Sequence, residues 1–165
     1  MTAHTATAPR RRRGGRSFWA AVLLGVGTMA AIDEIVFHQL LQWHHFVDRE
    51  TGDVGLISDG LLHAGELFAL AAGFFLMLEP RRRDALVARA AWAGFLVGLG
   101  AFQLWDGLIN HKVLRLHEIR YGVDLLPYDL IWNGAAVALV LAGLSLLLSA
   151  RRTPVDRADG RQSTP

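Results

Sequence analysis

The chain has 165 residues, of which 52% are hydrophobic and only 19% are charged, and its formal net charge is +2. Because soluble domains carry about 25% charged residues, this composition indicates an integral membrane protein, and arginine clusters beside apolar segments favour a lipid bilayer over nucleic acid as the partner. The sequence lacks cysteine, which excludes disulfides, thiolate metal sites and cysteine nucleophiles.

Four apolar segments predict membrane-spanning helices, at about residues 18–42, 60–79, 86–110 and 129–149. Each approaches or exceeds the roughly 20 residues that a helix needs to cross a hydrocarbon core. The segments lack the alternating pattern of strands. The predicted fold is an all-α, four-helix transmembrane bundle over residues 17–150, with disordered cytoplasmic tails at residues 1–16 and 151–165.

Arginine clusters predict the orientation of the helices in the membrane. The clusters are Arg10–Arg13 with Arg16, Arg81–Arg83 with Arg89, and Arg151 with Arg152. The positive-inside rule places all three on the cytoplasmic side. We therefore predict a multi-pass protein of the bacterial inner membrane with both termini in the cytoplasm, and outward-facing loops at residues 48–58 and 112–127.

An internal repeat carries most of the ionisable residues in the apolar segments. Both copies read G-x-G and then D-x4-H-x5-H, 73 residues apart: Asp33, His38 and His44 in the first, Asp106, His111 and His117 in the second. A weaker correspondence relates Asp59 and His63 to Asp129 and Asn133. The sequence therefore predicts a duplicated two-helix hairpin, and we expect the first segment to be retained rather than cleaved as a signal peptide.

All of these polar residues fall in the outer halves of the predicted helices, where ionisable groups are costly and usually functional. Carboxylate and imidazole together suit a transition metal, with Zn or Fe favoured. The predicted ligands are His38, His63 and His111, with Asp33, Asp59 and Asp106 as further ligands, orienting groups or a general base. The secondary candidates are His44, His117, Glu66, Asp129 and Asn133.

Helix geometry sets one condition on this site. On an ideal α-helix His38 lies about 140° around the axis from Asp33, so a straight helix cannot aim both residues and His44 at one atom. The helix must therefore end or bend near His38, or its polar residues must serve two faces.

The sequence leaves the activity open between several classes. The site could serve metal handling, with a membrane metalloenzyme or a second copy of the chain as partner. It could instead hold a metal that activates water for hydrolysis of a lipid or small amphiphile. A third reading is haem-linked electron transfer through paired histidines, although haem would not explain the aspartates. Proton or ion movement along the Asp and His residues is a fourth. Whether the protein is an enzyme is not decided by these patterns.

Three strings of the sequence resemble a known family. These strings are Asp33-Glu-Ile-Val-Phe-His38 with its continuation to His45, Asp59-Gly-Leu-Leu-His63, and Trp105-Asp106-Gly-Leu-Ile-Asn-His111. They look like the small bacterial membrane proteins of the domain-of-unknown-function family numbered twenty-two forty-three. The resemblance covers about residues 18–148 and implies a four-helix inner-membrane protein without an established activity.

Overall fold

A computed structural model describes residues 10–151, with side chains described for residues 14–149. This part of the chain is helical and contains no strand. Four helices are long and apolar enough to cross a membrane, namely Gly14–Leu40, Gly52–Arg82, Ala88–Val113 and Leu125–Ser149. The predicted all-α fold with four transmembrane helices is therefore confirmed.

The first and third spans each consist of an α-helix that continues directly into a π-helix. The elements are α1 (Arg10–Ile32) with π1 (Asp33–Leu40), α2 (Gly52–Arg82), α3 (Ala88–Leu104) with π2 (Trp105–Val113), and α4 (Leu125–Arg151). Helix α1 thus includes residues 10–16 of the predicted disordered tail, because arginine is a good helix former and a helix can extend beyond the hydrocarbon. Residues 1–9 and 152–165 of the two predicted tails lie outside the described residues.

Helices α1 and α3 run parallel, with their backbones in direct contact. A Cβ atom built on Gly25 would lie 2.2 Å from the carbonyl oxygen of Phe95, and one built on Gly98 would lie 2.2 Å from that of Val22. Small residues at such a crossing allow close packing in lipid, where no hydrophobic effect drives helices together. The two glycines let the polar ends of α1 and α3 meet.

Helices α2 and α4 pack on opposite sides of this central pair. Helix α2 contacts α1 and helix α4 contacts α3, whereas no Cα atom of α2 lies within 8 Å of α4 in the described chain. Gly73 receives Leu24 at the first contact, and Gly143 receives Val97 at the second. The helices therefore follow the order α2, α1, α3, α4 across the membrane plane, with α1 and α3 at the centre.

The close contact between α1 and α3 generates a stability prediction. Gly98→Ala places a methyl group against a backbone carbonyl that cannot rotate away, whereas Gly60→Ala on α2 meets nothing within 4 Å. We expect Gly98→Ala to lower the free energy of unfolding by about 1–3 kcal/mol, as overpacking does. Gly60→Ala should leave it unchanged or raise it slightly, because alanine favours helix. Thermal unfolding in detergent, followed by circular dichroism, measures both; equal midpoints would contradict the contact.

Candidate metal centre

The π-helical segments explain the D-x4-H spacing. In a π-helix the backbone bonds connect residues five apart, and such segments are frequent at functional sites. His38 Nε2 lies 3.8 Å from Asp33 Oδ2, and His111 Nε2 lies 3.0 Å from Asp106 Oδ2. The change of helix type at Asp33 and at Trp105 therefore brings together residues that an ideal α-helix would place about 140° apart.

Each π-helix ends in the same sharp turn. The amide of Leu41 donates to the carbonyl of Val36 at 2.9 Å, and that of Leu114 donates to Ile109 at 2.7 Å. The next residue is left-handed in both turns, with φ of 51° at Gln42 and 52° at Arg115. Non-glycine residues rarely adopt this conformation, which is often found at functional sites.

The turns return the chain toward the bundle, and they place His44 and His117 side by side. The two rings stack with centroids 4.4 Å apart and planes 8° from parallel. The Nδ1 atom of His44 donates to the carbonyl of Ile119 at 3.0 Å, and that of His117 donates to Phe46 at 2.8 Å. A carbonyl only accepts, so Nδ1 carries the proton in both rings and Nε2 keeps its lone pair.

His38 is oriented by carboxylates instead of carbonyls. Its Nδ1 lies 2.7 Å from Glu34 Oε2 and 3.3 Å from Asp59 Oδ1. The other oxygen of Asp59 lies 2.6 Å from the Nδ1 of His45, whose pKa is raised by this hydrogen bond. Carboxylates that hold the outer nitrogen of a ligating histidine fix its orientation and make it a stronger ligand.

The six residues of the sequence repeat form one buried group, which we call the central cluster: Asp33, His38, His44, Asp106, His111 and His117. Each of its members is at most 5% exposed. His38, His44 and His117 each offer a ligand atom within 4.8 Å of the others, and Asp106, His111 and His117 do the same. His117 belongs to both sets and connects them.

Unpartnered atoms of the central cluster face one another. The Nε2 atoms of His38, His44 and His117 and the Oδ2 atom of Asp33 have no hydrogen-bond partner among the described residues, while His111 Nε2 and Asp106 Oδ2 lie 3.0 Å from each other. Buried polar atoms are nearly always hydrogen-bonded, and an unsatisfied one costs about 1–3 kcal/mol. Three of these atoms, the Nε2 atoms of His38, His44 and His117, belong to residues whose ligand atoms lie within 4.8 Å of one another, and a metal ion would satisfy them.

Four buried carboxylates lie in this cluster or beside it: Asp33 and Asp106 are members, and Glu34 and Asp59 are neighbours. Their ion-pair partners within the described residues are all histidines. Buried charges in proteins are paired or coordinate metals. The site thus combines carboxylate oxygens with imidazole nitrogens, which are donor types that suit a divalent transition-metal ion.

The structure does not bring every predicted ligand into the central cluster. The side chain of His63 is 50% exposed, and its Nδ1 lies 2.6 Å from Glu66 Oε1. Asp129 pairs with Lys112, and Asn133 donates to the backbone carbonyl of Asp129 at 2.9 Å. Asp59 is not a member of the central cluster but contacts His38, and it forms a third possible ligand set with His38 and Glu34.

Two residues near the site were not among the predicted ones. The carboxylate of Glu34 holds the ring of His38. The sequence could have indicated this pair, because residues at i and i+4 share a helix face. His45 holds Asp59 from the loop after π1. No periodicity reveals that contact, since it joins a loop to another helix.

The fold and the buried site define an integral membrane protein with a candidate metal centre between its central helices. A family described as "Predicted membrane protein (DUF2243)" matches residues 20–150, and the chain belongs to it. No curated protein matches the chain, and no solved structure matches it. The resemblance seen in the sequence is therefore confirmed, and the family carries no known activity.

The loop position of His44 generates a prediction about pH. Burial of the ring is the main cause that lowers the pKa of His44 from 6.5 to about 2, and the neighbouring imidazoles add to the effect. The folded protein keeps this ring neutral, whereas the unfolded chain binds a proton below pH 6.5, so acid favours unfolding. Between about pH 7.5 and pH 5.5, His44 should lower the free energy of unfolding of the metal-free protein by about 1 kcal/mol.

His44→Asn, which cannot titrate, serves as the control for this effect. Its unfolding free energy should decline less over the same pH range, whatever its absolute stability. Unfolding in mixed detergent micelles, followed by tryptophan fluorescence, measures both declines. Equal slopes in the two proteins would contradict the buried neutral state of His44.

Proposed function

We propose that the central cluster binds a transition metal ion, Zn or Fe, near the outer face of the membrane, and that the protein takes part in metal handling. The observation that carries this proposal is the tautomer of the histidines. Carbonyl or carboxylate groups hold the Nδ1 atoms of His38, His44 and His117, and this leaves three Nε2 lone pairs in one buried space.

The distances support binding of an ion of this size. Zinc binds imidazole nitrogen at about 2.0–2.1 Å, so the ligands of a tetrahedral zinc lie about 3.4 Å apart. The ligand atoms of His38, His44 and His117 lie within 4.8 Å of one another, so small movements would close the shell. Neutral imidazole with carboxylate suits Zn and Fe, whereas Cu(I) prefers sulfur ligands.

The burial of the cluster favours holding a metal over catalysis. Catalytic zinc sites keep an open coordination position for water or substrate. The donors of the central cluster are instead closed off from solvent, and His38, His117 and Asp106 are each at most 2% exposed. A closed site is suited to acquiring or storing an ion, which a membrane metalloenzyme or another copy of the chain would receive.

The stacked rings of His44 and His117 argue against haem. Axial ligands bind haem iron from opposite faces of a flat macrocycle, which needs open space between them. Here the centroids of the two rings are 4.4 Å apart, and His38 and His111 lie against them at 4.6 Å. These contacts leave no slot of the width of a porphyrin between the histidines.

Metal content tests the proposal. We expect His117→Ala to lower affinity for Zn or Fe by about 100-fold or more, because His117 belongs to both candidate ligand sets. Glu34→Gln should weaken binding by about 10- to 100-fold, the effect of losing a group that orients a ligand. The measurement is elemental analysis of protein purified in detergent, followed by competition with a chelator.

His63→Ala provides the matched control, because His63 lies outside the central cluster. It should bind metal as the unmodified chain does. Equal metal content in the unmodified chain, His117→Ala and Glu34→Gln would contradict the proposal.

We also propose a location in a bacterial inner membrane with both termini cytoplasmic. The arginine clusters support this orientation, which places the centre toward the outside. Because the chain has no cysteine, single substitutions report this orientation without background. A cysteine replacing Gly122 should react with a membrane-impermeant maleimide added outside spheroplasts, and one replacing Asp84 should react only after lysis. The opposite pattern would reverse the proposed orientation.

A further inference from the structure

A groove of about 290 Å³ opens between α1 and α2 on the surface that faces lipid. Its walls are apolar with one exception, Glu66, and include the aromatic rings of Phe46 and Phe102. Gly65 also lines it, and a Cβ atom added there would meet nothing within 4 Å. The groove is therefore open space that the packing of the helices does not use.

Glu66 is the unusual member of this lining. It is only 2% exposed, its Oε1 lies 2.6 Å from the Nδ1 of His63, and its Oε2 has no hydrogen-bond partner in the described chain. A carboxylate oxygen only accepts hydrogen bonds, so an occupant of the groove would have to supply an O–H or N–H donor to satisfy it.

The other half of the protein shows that packing does not require this acid. The alignment that matches Asp59 with Asp129 and His63 with Asn133 also matches Glu66 with Ala136. Ala136 is fully buried, and its carbonyl oxygen would lie 2.5 Å from a Cβ atom on Gly100. The helices close tightly there, whereas the α1–α2 side keeps a groove and a buried acid.

The depth of the groove limits what can enter it. Glu66 lies near the middle of the α2 span, Gly52–Arg82, and Gly27 lies near the middle of the first span, Gly14–Leu40. Phospholipid headgroups are confined to the interface, about 15 Å away from the middle of the hydrocarbon core. Their phosphates would also be repelled by a carboxylate. Phe46, from the loop after π1, lines the outer end of the groove, so it is the part of an occupant beside Glu66 that must be neutral and soluble in the hydrocarbon.

We propose that this groove binds a neutral aromatic diol with an apolar tail, a lipid of the hydroquinone type, whose hydroxyl group donates to Glu66. The aromatic walls at Phe46 and Phe102 suit a ring, and the apolar surface of Val26 and Ala69 suits a tail. His63 holds the carboxylate in place through its other oxygen.

The groove adjoins the central cluster without depending on it. The ring of Phe46 lines the groove and lies 6.1 Å from the ring of His117, while its carbonyl accepts the hydrogen bond from His117. A bound diol would thus lie one side chain away from the candidate metal centre. The proposal concerns binding and stands independently of whether a metal is held.

Equilibrium binding to the full chain in phosphatidylcholine nanodiscs tests the proposal. The probe is a radiolabelled hydroquinone with a ten-carbon tail, kept reduced under anaerobic conditions, and compared with its oxidised quinone. We expect saturable binding of the reduced form, tighter by about tenfold than the oxidised form, because only the diol donates a hydrogen bond to the carboxylate. Glu66→Gln should abolish or reverse that preference, since an amide can also donate to a quinone carbonyl.

Gly65→Leu fills the groove and should weaken binding of the reduced probe by about tenfold or more, as expected for overpacking of a site. Gly60→Leu is its matched control, because Gly60 is also an α2 glycine with open space around it and does not line the groove. The control should bind as the unmodified chain does.

The double variant His44→Ala/His111→Ala separates this proposal from the metal proposal. It removes one ligand from each of the two candidate sets of the central cluster and leaves the hydrogen bond from His117 to Phe46 in place, so it should lose metal and retain the probe. Absence of saturable binding, equal affinity for the reduced and oxidised forms, or unchanged binding in Gly65→Leu would each overturn the proposed diol site.

Discussion

Direct backbone contact between α1 and α3 is the constraint on which the candidate centre depends. The contact exists because Gly25 and Gly98 have no side chains. The carbonyl oxygen of Phe95 lies where a Cβ atom of residue 25 would be, and that of Val22 lies where a Cβ atom of residue 98 would be. At this separation the helix ends also meet, so the rings of His44 and His117 can stack. A wider crossing would separate the two D-H-H sets and remove the contacts that His44 and His117 make across the halves.

The switch from α- to π-helix is the second determinant. It occurs at Asp33 and at Trp105, and it brings Asp33 and Asp106 each beside the histidine five residues later. The left-handed residues Gln42 and Arg115 then reverse the chain in both copies. Such distortions cost energy and persist where the surroundings enforce them, so their presence at equivalent positions supports a shared functional role.

The two halves of the protein agree at the centre and differ around it. His44 of the first half donates to a carbonyl of the second loop, and His117 of the second half donates to a carbonyl of the first loop. The two halves therefore make the same hydrogen bond. In contrast, Glu34 corresponds to Gly107, where a Cβ atom would lie 2.5 Å from Asn133 Oδ1. The α1–α2 side thus carries the additional acids, while the α3–α4 side is closely packed. The two halves thus contribute the same donor residues to the central cluster, whereas the additional acids lie on the α1–α2 side. That side can therefore differ in function without disturbing the cluster.

Several features were readable from the sequence alone. Apolar runs of sufficient length predicted the four spans, because the thickness of the bilayer sets the length of a helix. The repeat of Asp33, His38 and His44 singled out the residues that the structure gathers, because ionisable groups are rare in membrane helices. The geometry of an α-helix also left two alternatives, that the helix bends or ends near His38 or that its polar residues serve two faces.

Only the tertiary structure decided which side chains meet. His38, His44 and His111 lie within the central cluster, whereas His63 turns toward Glu66 and the groove, although all four sit in similar apolar surroundings in the sequence. The tautomers of His44 and His117 likewise depend on carbonyls more than 70 residues away. The physical reason is that periodicity encodes the face of a helix on which a residue lies, whereas its partner depends on which helices pack together and how closely.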